Sequence, residues 1–192
     1  VQSKYLQKYK QDMQRICVFL ASREPDNTVC RDAVVSVGQW IGQTKRTLVY
    51  GGARKGWMEL LASTVKESGG RVLGVVPQIL VERRLVSDTL DVCFHSADLS
   101  DRKAIMARES DIFVALPGGI GTLDEIFTIL GEVCIGISKK HLVLYNADDC
   151  WTTLVKALSE LQERGLIAQE TLDHLHVVEN VEGLEKLCQT LK

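Results

Sequence analysis

The chain has 192 residues, a length typical of one domain, and its 45% hydrophobic and 25% charged residues match ordinary globular proteins. The formal net charge of −2 at pH 7 provides no general attraction to nucleic acid or to anionic membranes. A partner that carries a phosphate group therefore needs a local binding site rather than a basic face.

The chain begins with a charged and polar N-terminal extension, residues 1–14, and a first apolar segment follows it. This segment is one strand long, which is too short for a signal peptide or a membrane span. Further short apolar segments are rich in β-branched or aliphatic residues without clean alternation, as expected of strands with both faces covered. The predicted strands are Ile16–Leu20, Thr47–Tyr50, Val72–Val76, Asp111–Leu116 and His141–Tyr145, with His174–Val178 as an edge strand.

Segments with helical spacing lie between and after these strands. The predicted helices are the segments around Val34–Ile41 and Met58–Val65, then Ser100–Ser110, Thr122–Ile137, Trp151–Arg164 and Val181–Leu191. This alternation predicts right-handed β-α-β units and an α/β fold, a Rossmann-like doubly wound parallel sheet flanked by helices. Because no Pro- or Ser-rich linker divides the chain, residues 1–192 are predicted to form a single domain, with residues 168–192 supplying the edge strand and a closing helix.

The cysteines form no CxxC pair, and several lie in apolar segments where buried thiols are common. They are interpreted as reduced residues of a cytoplasmic protein, and no metal site is predicted. These cysteines are Cys17, Cys30, Cys93, Cys134, Cys150 and Cys188.

The most informative segment is the turn Pro117-Gly118-Gly119-Ile120-Gly121-Thr122, which joins a predicted strand to a predicted helix. Glycines can adopt positive φ, and they let a ligand approach backbone amides without meeting a Cβ atom. The unpaired N–H groups and the dipole at a helix start favour an anion of phosphate size, and the Thr122 hydroxyl can add a donor. The alternative is a plain strand-to-helix turn in which Thr122 and Glu125 form a capping box. A dinucleotide site is not predicted, because Asp124 replaces the third glycine of that fingerprint.

A second glycine-rich turn, Gly51-Gly52-Ala53-Arg54-Lys55-Gly56, follows the second predicted strand. It has the spacing of an ATPase phosphate loop, but Trp57 and Met58 stand where Lys and Ser/Thr are required. Its two cations are either solvated turn residues or ligand contacts. Both turns, and Ala21-Ser22-Arg23 after the first strand, are expected at the carboxyl ends of parallel strands, where open α/β sheets bind ligands.

Three charged residues are candidates for the chemistry of this edge. Arg102 and Lys103 lie near the start of a predicted helix, where cations oppose the dipole, so they either contact a phosphate or ribose or are ordinary surface cations. Glu125 is the best carboxylate candidate, because glycosidic cleavage creates positive charge on the sugar and requires an activated water. The adjacent Asp124 points about 100° away and is not assigned as a partner. The histidines show no catalytic pattern.

The segment Pro117–Glu125 fits the pattern PGGxGTxxE. Together with Arg102-Lys103 and Tyr50-Gly51-Gly52, in this order and separation, it resembles the LOG family, the cytokinin riboside 5′-monophosphate phosphoribohydrolases that are often labelled lysine decarboxylases. The resemblance extends over Ile16–Ile167.

This resemblance implies a Rossmann-like fold, a homodimer with sites near the subunit interface, and hydrolysis of a nucleoside 5′-monophosphate, AMP or N6-modified AMP, without a cofactor. The products are the free base and ribose 5-phosphate. Arg102 and Glu125 match the family's catalytic pair. The positions that match phosphate or nucleotide contacts are Ser22, Gly51, Gly52, Lys103, Gly118, Gly119, Gly121 and Thr122.

The chain departs from the family pattern around the expected base and the entrance of the site, whereas the catalytic pair is intact. Adenine is the expected base. The departures are Ala21 and Arg23 in place of Gly and Ser, Ala53 in place of the third glycine of the second turn, Glu59 in place of a small residue, and Val133-Cys134 in a segment that lacks the family's Trp and Gln.

Two other functions are considered for the chain. A non-catalytic nucleotide- or cofactor-binding carrier of the same fold would retain its ligand without releasing a base. Amino-acid decarboxylation is disfavoured, because no lysine is singled out as an anchor for pyridoxal phosphate.

Overall fold

The computed structural model describes residues 15–191, so the predicted extension at residues 1–14 lies outside the described residues. Within them, one sheet contains seven strands, each parallel to its neighbours. The strands are β1 Arg15–Phe19, β2 Thr47–Tyr50, β3 Arg71–Pro77, β4 Val92–Ser96, β5 Ile112–Ala115, β6 Leu142–Tyr145 and β7 Leu175–Val178. The predicted Rossmann-like parallel sheet is confirmed.

Helices connect the strands, and a 3₁₀ turn at Ala147–Asp149 follows β6. The helices are α1 Thr28–Gln43, α2 Gly56–Glu67, α3 Gln78–Glu82, α4 Leu99–Arg108, α5 Ile120–Cys134, α6 Thr152–Glu163, α7 Gln169–Leu172 and α8 Val181–Thr190. The late edge strand and the closing helix of the sequence prediction correspond to β7 and α8.

The sheet carries an apolar core on each face, because successive residues of a strand point to opposite sides. In β1, Ile16 and Val18 pack in one core with residues of α1, α2 and α8. Cys17 and Phe19 pack in the other core with residues of α4, α5 and α6. Coverage of both faces explains why the central strands are almost continuously apolar.

The strand order β4-β3-β2-β1-β5-β6-β7 reverses direction between β1 and β5. Open parallel sheets bind ligands outside the carboxyl ends of their strands at such a switch point. The pairing of β1 with β5 continues beyond both strands: the Leu116 N–H donates to the Phe19 carbonyl (2.9 Å) and the Ala21 N–H donates to the Pro117 carbonyl (3.2 Å). These hydrogen bonds hold the loop after β1 beside the first glycine-rich turn.

The structure differs from the sequence predictions at several elements, and the short helices α3 and α7 were not predicted. Strand β4 was not predicted, since its apolar run Val92-Cys93-Phe94 is only three residues long and only Ser96 of its five residues is buried. Helix α5 begins at Ile120 rather than at Thr122 and ends at Cys134 rather than at Ile137.

Candidate active site

A cleft of about 610 Å³ opens at the switch point between β1 and β5. Its walls are the loop after β1 (residues 21–23), Gly51 after β2, Met58 on α2, and the first turns of α4 and α5. This volume lies within the range of small-molecule and cofactor sites. The three turns singled out in the sequence therefore converge on one cavity.

The first turn of α5 presents free backbone donors to the cleft. Gly119 is the N-cap residue, and no side chain caps the helix, so the N–H groups of the first turn lack intrahelical partners. A Cβ atom on Gly119 or Gly121 would meet nothing within 4 Å, and both residues line the cleft. Neither has positive φ, contrary to one reason given for these glycines. Their lack of a side chain leaves the backbone open to a ligand.

The capping box predicted as an alternative is absent, because Thr122 lies inside α5 rather than at its N-cap. Thr122 packs directly over Gly118, where a Cβ atom would lie 2.1 Å from the Thr122 Oγ1. Gly118 does not line the cleft; it makes room for Thr122, which is 2% exposed and does line it. Within residues 15–191 the Thr122 hydroxyl makes no hydrogen bond, so it is available as a donor.

Arg102 and Glu125 meet across the cleft from different helices. Arg102 lies in the first turns of α4, which is capped by the Asp98 carboxylate accepting from the Asp101 N–H (2.8 Å). The Arg102 Nη2 lies 3.5 Å from the Glu125 Oε1, and the two side chains are only 17% and 10% exposed. The Arg102 Nε is buried without a hydrogen-bond partner among the described residues.

A glycine is required at position 51 for a steric reason, because the Arg102 side chain lies against it. A Cβ atom on Gly51 would lie 1.9 Å from the Arg102 Nη2 and 2.7 Å from the Met58 Cε. The glycine therefore leaves the space that the guanidinium occupies. Gly52, by contrast, adopts a φ of +70° and packs against Val76 outside the lining of the cleft.

The environment of Glu125 changes its acidity. The pKa of the Glu125 carboxyl is raised to about 7, chiefly because the group is buried; the Arg102 cation lowers it, the Asp124 carboxylate raises it and the Lys103 cation lowers it. Near neutral pH this group can therefore exist in either its ionised or its neutral form, as acid–base chemistry requires.

A second ion pair lies at the rim beside the first. The Lys103 Nζ lies 2.8 Å from both carboxylate oxygens of Asp124. Asp124 lines the cleft and pairs with Lys103 rather than with Glu125, an ion pair that the sequence did not predict. The available signal was the arrangement of charges: two adjacent cations start one helix, and two adjacent carboxylates lie near the start of the other.

The remaining candidates separate into those inside and those outside the cleft. Ser22 lines it, and so does Arg23, which the sequence analysis did not select as a site residue. Arg54 instead pairs with Asp88 (Nη1 to Oδ2, 2.7 Å) outside it. The other interpretation of Arg54, a turn residue without ligand contact, therefore fits its position.

Three of the four histidines cluster away from the cleft. His141, His174 and His176 cluster at the amino ends of β6 and β7, the edge opposite the cleft; the His141 Nδ1 lies 3.0 Å from the His176 Nε2. All six cysteines are free thiols. Between residues 15 and 191 no group of three or more His, Cys, Asp or Glu side chains is arranged to hold a metal ion. Nor do these residues include a helix with the length and apolar character needed to cross a bilayer.

Several solved structures share this fold, among them two molybdenum cofactor proteins. A molybdenum cofactor binding protein from Rippkaea orientalis has a TM-score of 0.71 at 21% identity and covers 95% of this chain and 99% of its own. The molybdenum cofactor carrier protein from Chlamydomonas reinhardtii has a TM-score of 0.70 at 23% identity, with coverage of 93% and 98%. At these identities the likeness establishes the fold alone.

Sequence similarity points to one family. A family model described as "Possible lysine decarboxylase" matches residues 58–188. The cytokinin riboside 5′-monophosphate phosphoribohydrolase LOG5 of Arabidopsis thaliana is 33% identical over 183 residues, which cover 95% of this chain and 79% of LOG5. Its relative LOG4 is 38% identical over 154 residues, which cover 80% and 72%. The chain therefore belongs to the LOG family of phosphoribohydrolases.

Proposed function

We propose that this chain hydrolyses the N-glycosidic bond of a nucleoside 5′-monophosphate, AMP or N6-modified AMP, to the free base and ribose 5-phosphate. The observation that carries the proposal is the buried Arg102–Glu125 pair, which faces the same cleft as the uncapped first turn of α5. The names of the related LOG proteins support the same reaction.

The 5′-phosphate binds at the first turn of α5 in this proposal. The open backbone at Gly119 and Gly121 supplies N–H donors, the Thr122 hydroxyl adds another, and the helix dipole favours the negative charge. Thr122 and Glu125 are three residues apart and lie on the same side of the helix. A phosphate on this turn therefore directs the attached ribose toward the Glu125 carboxyl.

In the proposed hydrolysis the carboxylate is Glu125 and the cation is Arg102. As the bond between C1′ and the base nitrogen breaks, its electron pair leaves with the base, and positive charge develops on the ribose. The ionised Glu125 stabilises this charge and accepts a proton from the water that adds to C1′. The Arg102 guanidinium orients the nucleotide and polarises the departing base, which takes up a proton from solvent.

The direct test follows base release from AMP and N6-modified AMP by chromatography. Glu125→Gln keeps the shape of the side chain but cannot accept the proton, so we expect turnover to fall by at least about a hundredfold while AMP still binds. Glu132→Gln is the matched control, because Glu132 lies on the same helix outside the cleft. Unchanged turnover in Glu125→Gln would remove Glu125 from the chemistry.

The same assay separates the proposed hydrolase from a carrier of the same fold. A carrier does not require a carboxylate of raised pKa beside the anion turn, whereas a hydrolase uses one. Retention of AMP without release of adenine would favour the carrier. A decarboxylase would instead bind pyridoxal phosphate through a lysine, but the lysine that lines the cleft, Lys103, is held by Asp124.

We further propose that the chain forms a homodimer. Ile126, Leu130 and Val133 have a helical spacing that suits either an interface or the core; Ile126 and Leu130 are buried in the core of the subunit, whereas Val133 is only partly buried. The opposite side of α5 leaves Ile120 and Phe127 exposed two turns apart, and Ile135 continues this apolar surface. Ile120 also lines the cleft, so an interface here would lie beside the site.

A further inference from the structure

Two ion pairs join the starts of α4 and α5, and they differ in exposure and in geometry. The Arg102–Glu125 pair is long (3.5 Å) and mostly buried. In the Lys103–Asp124 pair both carboxylate oxygens lie 2.8 Å from the Lys103 Nζ, and Asp124 is 57% exposed while Lys103 is 21% exposed. The Lys103 ammonium, which lines the same cleft as the first turn of α5, is therefore already bound by a carboxylate at the rim.

The phosphate placed on the first turn of α5 in the proposed function shares its cleft with this pair. Lys103, Asp124, Gly121 and Thr122 all line the same cleft, and Asp124 follows Thr122 by two residues on the helix. A phosphate oxygen and a carboxylate oxygen bind an ammonium through the same kind of charge-assisted hydrogen bond. The two anions therefore compete for Lys103, and they also repel each other.

We propose that Asp124 is a positioning residue that competes with the bound phosphate for Lys103 and thereby limits how tightly the phosphate-bearing ligand is held. The inference rests on the proposed function for its ligand. Before the ligand binds, Asp124 holds the ammonium at the rim. As ribose 5-phosphate leaves, Asp124 takes Lys103 back, so the product is not retained by an unshared cation.

The test measures binding of ribose 5-phosphate by calorimetry, without any turnover. Asp124→Asn removes the competing charge but keeps the size of the side chain, so we expect the Kd to fall by about tenfold. Asp124→Glu restores a carboxylate within reach of Lys103 and should keep a Kd close to that of the unmodified protein. Because these charges are partly exposed, raising the salt to about 1 M should reduce the gain of Asp124→Asn.

A double variant shows whether the gain acts through Lys103. Lys103→Met alone should weaken binding, and adding Asp124→Asn to Lys103→Met should recover only the part due to direct repulsion. Thermal unfolding of each variant checks that the fold is retained, which is expected because Asp124 is exposed.

A Kd in Asp124→Asn equal to or higher than that of the unmodified protein would overturn the proposal. So would an equal gain with and without Lys103. The outcome is separate from the proposed hydrolysis: tighter binding in Asp124→Asn, in a protein that releases no base from any nucleoside monophosphate, would support the role of Asp124 and refute the hydrolase.

Discussion

The Glu125 carboxyl makes the stability of the protein depend on pH. Burial raises its pKa from the ordinary value of 4.5 to about 7, so the folded protein binds this proton more tightly than the unfolded chain does. Its stabilising contribution is complete below about pH 4.5 and is lost as the pH rises through about 7. The shift corresponds to at most about 3 kcal/mol.

We therefore expect Glu125→Gln, which has no proton to lose, to reduce the pH dependence of the free energy of unfolding. Urea unfolding at about pH 5 and about pH 8 measures it. The difference between the two pH values should shrink in Glu125→Gln and stay unchanged in Glu132→Gln. An identical difference in Glu125→Gln would show that burial does not perturb this carboxyl.

Sequence patterns predict the types of site residue better than the contacts between them. Arg102 and Glu125 were selected from charge placement and motif spacing, and they do meet in the cleft. The pairing of Lys103 with Asp124 was missed, because it depends on how the starts of α4 and α5 face each other, which neither helix specifies alone. Likewise, Gly51 leaves room for the guanidinium of Arg102, which lies 51 residues further along the chain.

Helix α5 contains two glycines, Gly121 and Gly131, that have similar local surroundings but differ in their position relative to the cleft. A Cβ atom on Gly121 or on Gly131 would meet nothing within 4 Å, and both positions have ordinary φ. Gly121 lines the cleft, whereas Gly131 lies farther along the exposed side of the helix. Replacing each glycine by alanine therefore distinguishes an effect on helix stability from an effect on ligand binding.

We expect both Gly121→Ala and Gly131→Ala to retain or increase stability, because alanine is favoured over glycine in a helix by up to about 1 kcal/mol. Only Gly121→Ala places a methyl group where the phosphate approaches, and it should weaken binding of ribose 5-phosphate by about tenfold or more. Thermal unfolding and calorimetry measure the two effects. Equal affinities in the two variants would contradict phosphate binding at this turn.

The edge strand β4 was harder to predict than the central strands for a physical reason. Strands β1, β2, β5 and β6 are covered on both faces, so burial demands apolar residues that the sequence reveals. Strand β4 pairs only with β3, and most of its residues, including Cys93 and His95, are exposed. Its backbone pairing with β3, rather than its own composition, makes it a strand.

The alternation of strands and helices along the chain predicts a doubly wound sheet but not the order of its strands. The order places β5 beside β1 rather than beside β4, although β4 precedes it along the chain. That placement creates the switch point and brings the loop after β1 to the turn before α5. The three turns could therefore be assigned to one edge, whereas their contact with one cleft emerges only from the fold.

We expect the exposed side of α5 to form the dimer interface. Phe127 lies at the centre of the apolar surface formed with Ile120 and Ile135, on the face of the sheet that α4, α5 and α6 cover. Phe127→Asp would bury a charge in this interface, which costs far more than exposing it in a monomer. We expect light scattering to give the mass of two chains for the unmodified protein and of one chain for Phe127→Asp.

Val29 supplies the matched control, since it is a similarly exposed apolar residue on α1, which packs on the opposite face of the sheet. Val29→Asp should leave the mass at two chains, because its side chain lies far from the surface of α5. Both substitutions are at exposed positions, so neither should lower Tm by more than a few degrees through the subunit itself. A dimer that survives Phe127→Asp but dissociates with Val29→Asp would assign the interface to the other layer of helices, and a monomeric unmodified protein would exclude the dimer altogether.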